Sequence, residues 1–328
     1  MDDAGANMAP GRCFVSKLIY GPVPSRRFGL SLGVDVVPFK ACTLDCVYCQ
    51  LGPTSMLTVE RRSFVPREQV VEEVVAAVER GPRPDVITFA GSGEPTLYLD
   101  LGWVAAELRN RLGIRLNLIT NGTLLWREDV AADAAFFDVV APDLDAADPT
   151  TFFQVNRPHP SLDVEQVLDG IARFAASNPG KVRLEVFLVP GINDSTQALD
   201  GIIKAAARIA PAVVELNTAV RPTPGRNVAG VGAEELARIA LLFDPPAIPV
   251  APFESRGSAP EPVPRIGEAP APLTERILAT LKRRPCTAGQ LGVSLAVPVD
   301  DIQVAVQELL ARGLVRVEGR DGELYLLA

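Results

Sequence analysis

This 328-residue chain predicts an α/β fold of repeated strand–helix units over a parallel sheet, followed by a small second domain. Three observations carry that expectation. Short β-branched runs alternate with amphipathic helical stretches from Ser31 to about Asn217, each run ends in a polar cluster, and beyond Leu242 the composition turns to proline.

The first run, Leu32 to Val37, is stopped by Pro38 and leads into three cysteines, Cys42, Cys46 and Cys49, spaced C-x3-C-x2-C. A helix over Arg67 to Arg80 follows, with Val70, Val71, Val74, Val75 and Val78 on one face and Pro66 at its entry. The second run, Asp85 to Ala90, ends in Gly91-Ser92-Gly93-Glu94-Pro95. The third, Leu116 to Thr120, runs into Asn121-Gly122, and the fourth, Phe137 to Ala141, into Pro142-Asp143. The fifth, Val182 to Val189, precedes Pro190-Gly191-Ile192-Asn193-Asp194, and the sixth, Val213 to Asn217, precedes Arg221-Pro222. When such units close into a barrel, the loops after the strands' C-terminal ends form the active face, which is where the cysteines and polar clusters fall. Periodicity alone leaves a doubly wound open sheet as the alternative.

Nine prolines between Pro245 and Pro272 predict a linker. The domains expected are an arm over 1–19, a core over 20–244, a linker over 245–271 and a small domain over 272–328. In the last, helices are predicted at Leu273 to Leu281, Thr287 to Leu291 and Asp300 to Arg312. Two strands, Leu314 to Val317 and Leu324 to Leu327, flank Gly319-Arg320-Asp321-Gly322, which gives a winged-helix-like pattern. Seven basic side chains stand against seven acidic ones there, so DNA binding is not expected and a docking or substrate-presenting module is.

The formal net charge of −8 argues against broad attraction to nucleic acid. No membrane span or secretory leader is legible, and five cysteines, three of them clustered, point to a reducing compartment, so a cytoplasmic protein is expected. Three closely spaced thiolates suit an iron–sulfur cubane with one iron left open. A closed zinc site wants four protein ligands, and besides these three cysteines the chain offers only His159, Cys13 and Cys286.

The run Cys42-Thr43-Leu44-Asp45-Cys46-Val47-Tyr48-Cys49 resembles the cluster loop of the radical S-adenosylmethionine (SAM) superfamily, and Gly91-Ser92-Gly93-Glu94-Pro95 resembles its Gly-Gly-Glu motif. The resemblance implies a partial (β/α)6 TIM-like barrel and a 4Fe–4S cluster on Cys42, Cys46 and Cys49, with SAM on the fourth iron. It further implies SAM contacts at Tyr48, Ser92, Gly93, Glu94, Asn121, Asp143, Asp145 and Glu185. Each of these polar residue types serves equally well as a helix cap or an ion-pair partner. Arg157, His159 and Arg221 are candidates for holding a substrate or moving a proton.

The activity implied is reductive SAM cleavage to a 5′-deoxyadenosyl radical that abstracts hydrogen from a substrate, with a reductant such as flavodoxin or ferredoxin. Tyr20 to Arg27, the glycine turn and Asn156-Arg157-Pro158 together resemble iron–sulfur oxidoreductases grouped with wyosine-forming tRNA enzymes, so tRNA is one expected substrate. Those using a second cluster need three more cysteines, and only Cys13 and Cys286 remain. Val189 to Asp194 resembles a segment of glycyl-radical activases, which makes a partner protein the alternative. From another class comes an iron–sulfur redox-sensing regulator.

Overall fold

A computed structural model describes residues 18–250 and 272–328, apart from Arg26, Gly225, Asn227, Arg284, Ala296 and Asp321. Most of the expected arm, with Cys13, and most of the expected linker lie outside the described residues. The chain enters on β1 (Ile19–Ser25), antiparallel to β2 (Gly29–Val34). Periodicity does not reveal β1, because Pro22 and Pro24 remove ladder donors. The strand survives at the sheet edge, with its register broken between Tyr20 and Val23.

Two short strands, β3 (Ala41–Cys42) and β4 (Met56–Leu57), pair within the next loop. The alternation then runs α1 (Arg67–Arg80), β5 (Val86–Phe89), α2 (Leu101–Leu112), β6 (Arg115–Thr120), α3 (Glu128–Ala134) and β7 (Val139–Pro142). It continues with α4 (Pro149–Asn156), α5 (Val164–Ser177), β8 (Arg183–Leu188), α6 (Thr196–Ile209), β9 (Val213–Thr218), α7 (Ala233–Ala240) and β10 (Ile248–Pro249).

Helix starts follow local chemistry. Asp148 caps α4 with Pro149 at its first position, Asp163 caps α5 through Gln166 N–H, and Ser195 caps α6 through Ala198 N–H. Gly113, at φ 60°, ends α2 in the left-handed conformation that glycine takes without penalty.

Strands β2, β5, β6 and β7 are parallel neighbours, and β8, β9 and β10 form a second parallel run. Parallel bridges Val140–Val182 and Asp143–Glu185 join the two, giving six principal parallel strands in sequence order. Every residue of β5 is buried, as expected of a strand covered on both faces. The helices pack their apolar stripes outside the sheet, with Val70, Val71 and Val74 of α1 and Ile202 of α6 in the main core. The expectation of an α/β fold of six strand–helix units over parallel strands holds. Residues 247–250 belong to this unit rather than to a linker: Ala247 and Val250 are buried and β10 adds to β9.

Arg27, between β1 and β2, reaches across to β8 and β9, ion-paired with Glu185 and, at 3.1 Å, with Glu215. Arg183 joins Glu215 at 2.5 Å, and the Phe28 ring lies 5.4 and 5.8 Å from the two guanidinium carbons. Removing one member of a buried ionic group strands the others. An Arg27→Met variant is expected to lose about 3 kcal/mol of stability, read by urea unfolding of the metal-free protein.

Residues beyond 272 fold as α8 (Leu273–Leu281), α9 (Ala288–Leu295), α10 (Val299–Ala311) and the hairpin β11 (Arg316–Arg320) and β12 (Glu323–Leu327). They enclose their own apolar cluster, including Ile277, Leu291, Ile302, Leu309 and the buried Cys286. This unit touches the barrel after β9, where Arg320 donates to the carbonyls of Ala219 and Arg221 at 2.7 and 2.6 Å and Tyr325 Oη donates to Val220 O at 3.1 Å. It also meets β1, where the Arg283 guanidinium lies 4.8 Å from the Tyr20 ring centroid.

Candidate functional site

The loop bearing Cys42, Cys46 and Cys49 follows β2 at the C-terminal end of the parallel strands and is clamped from three sides. From α4 and the residues beyond it, Val155 and Asn156 accept the N–H groups of Val47 and Asp45, at 2.8 and 2.9 Å, and His159 N–H donates to Thr43 O at 2.9 Å. From the loop after β9, Arg226 donates to the carbonyls of Asp45 and Cys46 at 2.8 and 2.6 Å and pairs with the Asp45 carboxylate at 2.5 Å. From the residue after β6, Asn121 Nδ2 donates to Thr43 Oγ1 at 2.7 Å.

Each thiol receives one side-chain N–H: Cys42 from Asn121 at 3.6 Å, Cys46 from Asn156 at 3.4 Å, and Cys49 from Lys40 at 3.0 Å. Burial, with the Glu94 charge next, pushes the Cys42 thiol up to about 12. Burial and the Asp145 charge hold Cys46 well above the ordinary thiol range. Such thiols become thiolates only against a bound positive charge, so metal loading must release protons. Among the described residues no three His, Cys, Asp or Glu side chains converge to hold a single metal ion. Three cysteines in one loop suit a cubane with one iron left for another donor, whereas a closed mononuclear zinc site takes four protein ligands.

Beside the thiols, the turn after β5 presses on β3. Glu94 N–H donates to Ala41 O at 2.9 Å, and a Cβ on Gly93 would stand 2.0 Å from that oxygen. Ser92 binds the buried Asp35 carboxylate through its N–H, at 3.1 Å, and its hydroxyl. Glu94 is spent on the fold: Oε1 accepts from Thr96 N–H, Thr96 Oγ1 and Thr120 Oγ1 at 3.0, 2.6 and 2.6 Å, and Oε2 from Asn121 N–H at 2.8 Å. Burial nonetheless raises its proton affinity.

Tyr48 stacks on Phe187 with centroids 3.9 Å apart and donates its hydroxyl to Asp145 at 2.5 Å. Asp145 also accepts from Asn156 Nδ2 at 2.7 Å and from Phe187 N–H at 2.9 Å. Asn193, in the segment resembling activases, is fully buried and pins Asp145 O and Phe187 O at 2.9 and 2.8 Å. Leu44, Asn121, Asp143, Asp145, Phe152 and Asn156 border a small cavity. Burial, then repulsion from Asp145, Glu185 and Glu94, drives the Asp143 carboxyl well up.

Of the residues named from sequence, the cysteines, Tyr48, Ser92, Gly93, Glu94, Asn121, Asp143 and Asp145 converge. Glu185 is committed elsewhere, to Arg27 and to Asn217 Nδ2 at 3.0 Å. Arg157 is half exposed, 3.9 Å from Asp45, and His159 bonds Ser161 Oγ at 2.9 Å outside this cluster. Arg221 is buried, 3.5 Å from Gln50 Oε1, under the C-terminal unit. Sequence reading missed Lys40 and Arg226, and it took Asn156 only as part of a motif. Their signal is spatial, since Arg226 lies 180 residues from the carbonyl of Cys46 that it holds.

Burial carries the Asp145 carboxyl up to about 6, against the hydrogen bonds that favour its charge. The folded protein therefore keeps a proton that the unfolded chain gives up near pH 4, and the stability this supplies is lost as pH rises through 6. In urea unfolding of the metal-free protein, wild type is expected to lose about 2 kcal/mol relative to Asp145→Asn between pH 4 and 6.5. A constant difference would place the Asp145 titration elsewhere.

The family profile of the Radical SAM superfamily matches residues 36–200. The chain is 33% identical over 314 residues to a protein named GTPase Obg from Brachyspira hyodysenteriae, covering 94% of this chain and 45% of that one. It is 33% identical over 229 residues to a UPF0026 protein of Methanocaldococcus jannaschii, covering 69% and 71%. A radical SAM methyltransferase from Sphaerobacter thermophilus superposes with a TM-score of 0.53 at 18% identity, covering 67% and 64%, which speaks to fold.

Proposed function

Since the chain belongs to the radical SAM superfamily, whose enzymes use a 4Fe–4S cluster and SAM, we propose that Cys42, Cys46 and Cys49 bind the cluster and that the adjoining carboxylate-rich face binds SAM. The observation that carries this reading is the meeting of three N–H-bonded thiols with the Gly93 turn, the buried carboxylates Glu94 and Asp145 and the half-buried Asp143. Three protein ligands leave one iron for a non-protein donor. Acidic groups whose proton affinity burial has raised are relieved by a cationic ligand, and SAM carries a sulfonium and an ammonium.

When bound, the pair of cofactors supplies one-electron cleavage of SAM to a 5′-deoxyadenosyl radical. The protein's own residues orient and shield. Gly93 lets the turn press on Ala41 O and so sets where its backbone meets the methionyl group, and Glu94 holds that turn through Thr96, Thr120 and Asn121 instead of pairing with the ammonium directly. Tyr48 and Phe187 offer an aromatic face, and Asp143 and Asp145 are placed for hydroxyl or ammonium donors. Hydrogen abstraction from a substrate is the reaction class. Transfer RNA is the substrate favoured by the resemblance of Tyr20 to Arg27 and Asn156 to Pro158, and flavodoxin or ferredoxin is the electron donor. The three helices and hairpin after 272 read as a winged-helix module that presents substrate at the end of β9.

The test uses anaerobically reconstituted protein with SAM and a strong reductant. Equal amounts of 5′-deoxyadenosine and methionine are expected; SAM recovered intact beside an assembled cluster would overturn the cleavage reading. Adding bulk tRNA across a salt series checks the substrate: absence of binding even at low salt removes RNA.

A further inference from the structure

We infer that Lys40 sets the reduction potential of the cluster by holding a buried positive charge on the sulfur of Cys49. This rests on the iron–sulfur reading above and extends it to a residue that the motif does not include.

Lys40 is 3% exposed, and its Nζ donates to Cys49 Sγ at 3.0 Å. Among the described residues no carboxylate is in ion-pair reach of that ammonium. The backbone is no explanation for a lysine here. At φ 59° the position favours glycine or asparagine, and its N–H and carbonyl bond Ser92 O and Met56 N–H, which any non-proline residue could do. What lysine alone contributes is the charge.

A buried ammonium is costly without an anionic partner, and a neutral thiol is a weak acceptor. The pair is satisfied when the sulfur is an iron-bound thiolate. The three cysteines are thereby made unequal. Cys42 and Cys46 receive neutral amide donors from Asn121 and Asn156, and Cys49 receives a cation. One electron entering the cluster adds one negative charge to the site. A fixed positive charge at hydrogen-bond distance, shielded from water, favours the reduced state and raises the potential. Lys40 acts through Cys49 and is a positioning residue.

The experiment is an EPR-monitored titration of the anaerobically reconstituted full chain with dithionite or titanium(III) citrate, each cluster accepting one electron as the reductant is oxidised. Wild type, Lys40→Met and Lys40→Arg are compared at equal iron content. At the poise that half-reduces wild type, the reduced-to-oxidised ratio in Lys40→Met is expected to fall about tenfold, equivalent to 59 mV for a one-electron couple, with Lys40→Arg staying near wild type. Equal midpoints in all three would overturn the inference. If Lys40→Met does not assemble iron, Lys40→Gln replaces it and the same order decides. A wild-type protein that holds no cluster would overturn the iron–sulfur reading itself, which iron analysis reveals before any titration.

Discussion

Cys46→Ala is expected to lose the cluster and SAM cleavage together, leaving 5′-deoxyadenosine at the level of the reagent blank. Cys46 is the middle of the three proposed ligands, and its carbonyl and sulfur are each held from a different part of the fold, by Arg226 at 2.6 Å and Asn156 at 3.4 Å. Alanine keeps the loop's backbone contacts, including the Val47 N–H bond to Val155 O, so the chain should still fold. It removes one of the three thiolates on which the proposed cluster depends. Iron analysis, the visible absorption band and product formation should fall in parallel, with the cooperative unfolding of the metal-free protein close to wild type. Full iron with normal cleavage in this variant would remove Cys46 from the ligand set.

Gly93→Ala is the second large effect, and it acts on SAM. The added methyl would lie 2.0 Å from Ala41 O and 3.0 Å from Val37 Cγ2, and the first of these is backbone that cannot swing aside. The turn must move away from β3 and give up the 2.9 Å bond from Glu94 N–H to Ala41 O. Glu94 would carry Thr120 and Asn121 with it, and Asn121 is the donor to Cys42. SAM affinity is expected to drop about 100-fold, near 2.7 kcal/mol, measured by calorimetric titration of reconstituted protein. A further 1–3 kcal/mol of stability should be lost to overpacking. Wild-type SAM affinity in Gly93→Ala would show that close backbone approach at this turn is not what binds the ligand.

Much of this was legible along the chain. The alternation of β-branched runs with amphipathic helices gave both ends of α1 (Arg67–Arg80) and placed α8 (Leu273–Leu281), because an apolar stripe and flanking prolines are local signals. The second helix of the C-terminal unit runs further than its pattern suggested, to Leu295, and the hairpin strands begin nearer their turn. Strand β1 was hidden, since two prolines read as loop unless the strand is known to sit at an edge. Glu94 and Glu185 show the limit for the site. A carboxylate after a strand looks like a ligand contact in either case, and only the count of donors already facing it shows that Glu94 is saturated and Glu185 is tied to Arg27.

By itself the sequence determined the superfamily, the three cysteines proposed as ligands and the strand ends at which they lie, because cysteine spacing and strand ends are short-range properties of the chain. The tertiary structure alone decided which groups touch the sulfurs and the backbone of the loop that carries them. Lys40 reaches Cys49 through a backbone turn, Asn121 comes from just after β6, Asn156 from the end of α4, and Arg226 from beyond β9. Those contacts join residues up to 181 positions apart, and no local pattern encodes a hydrogen bond that exists only after the parallel strands have brought their C-terminal ends together.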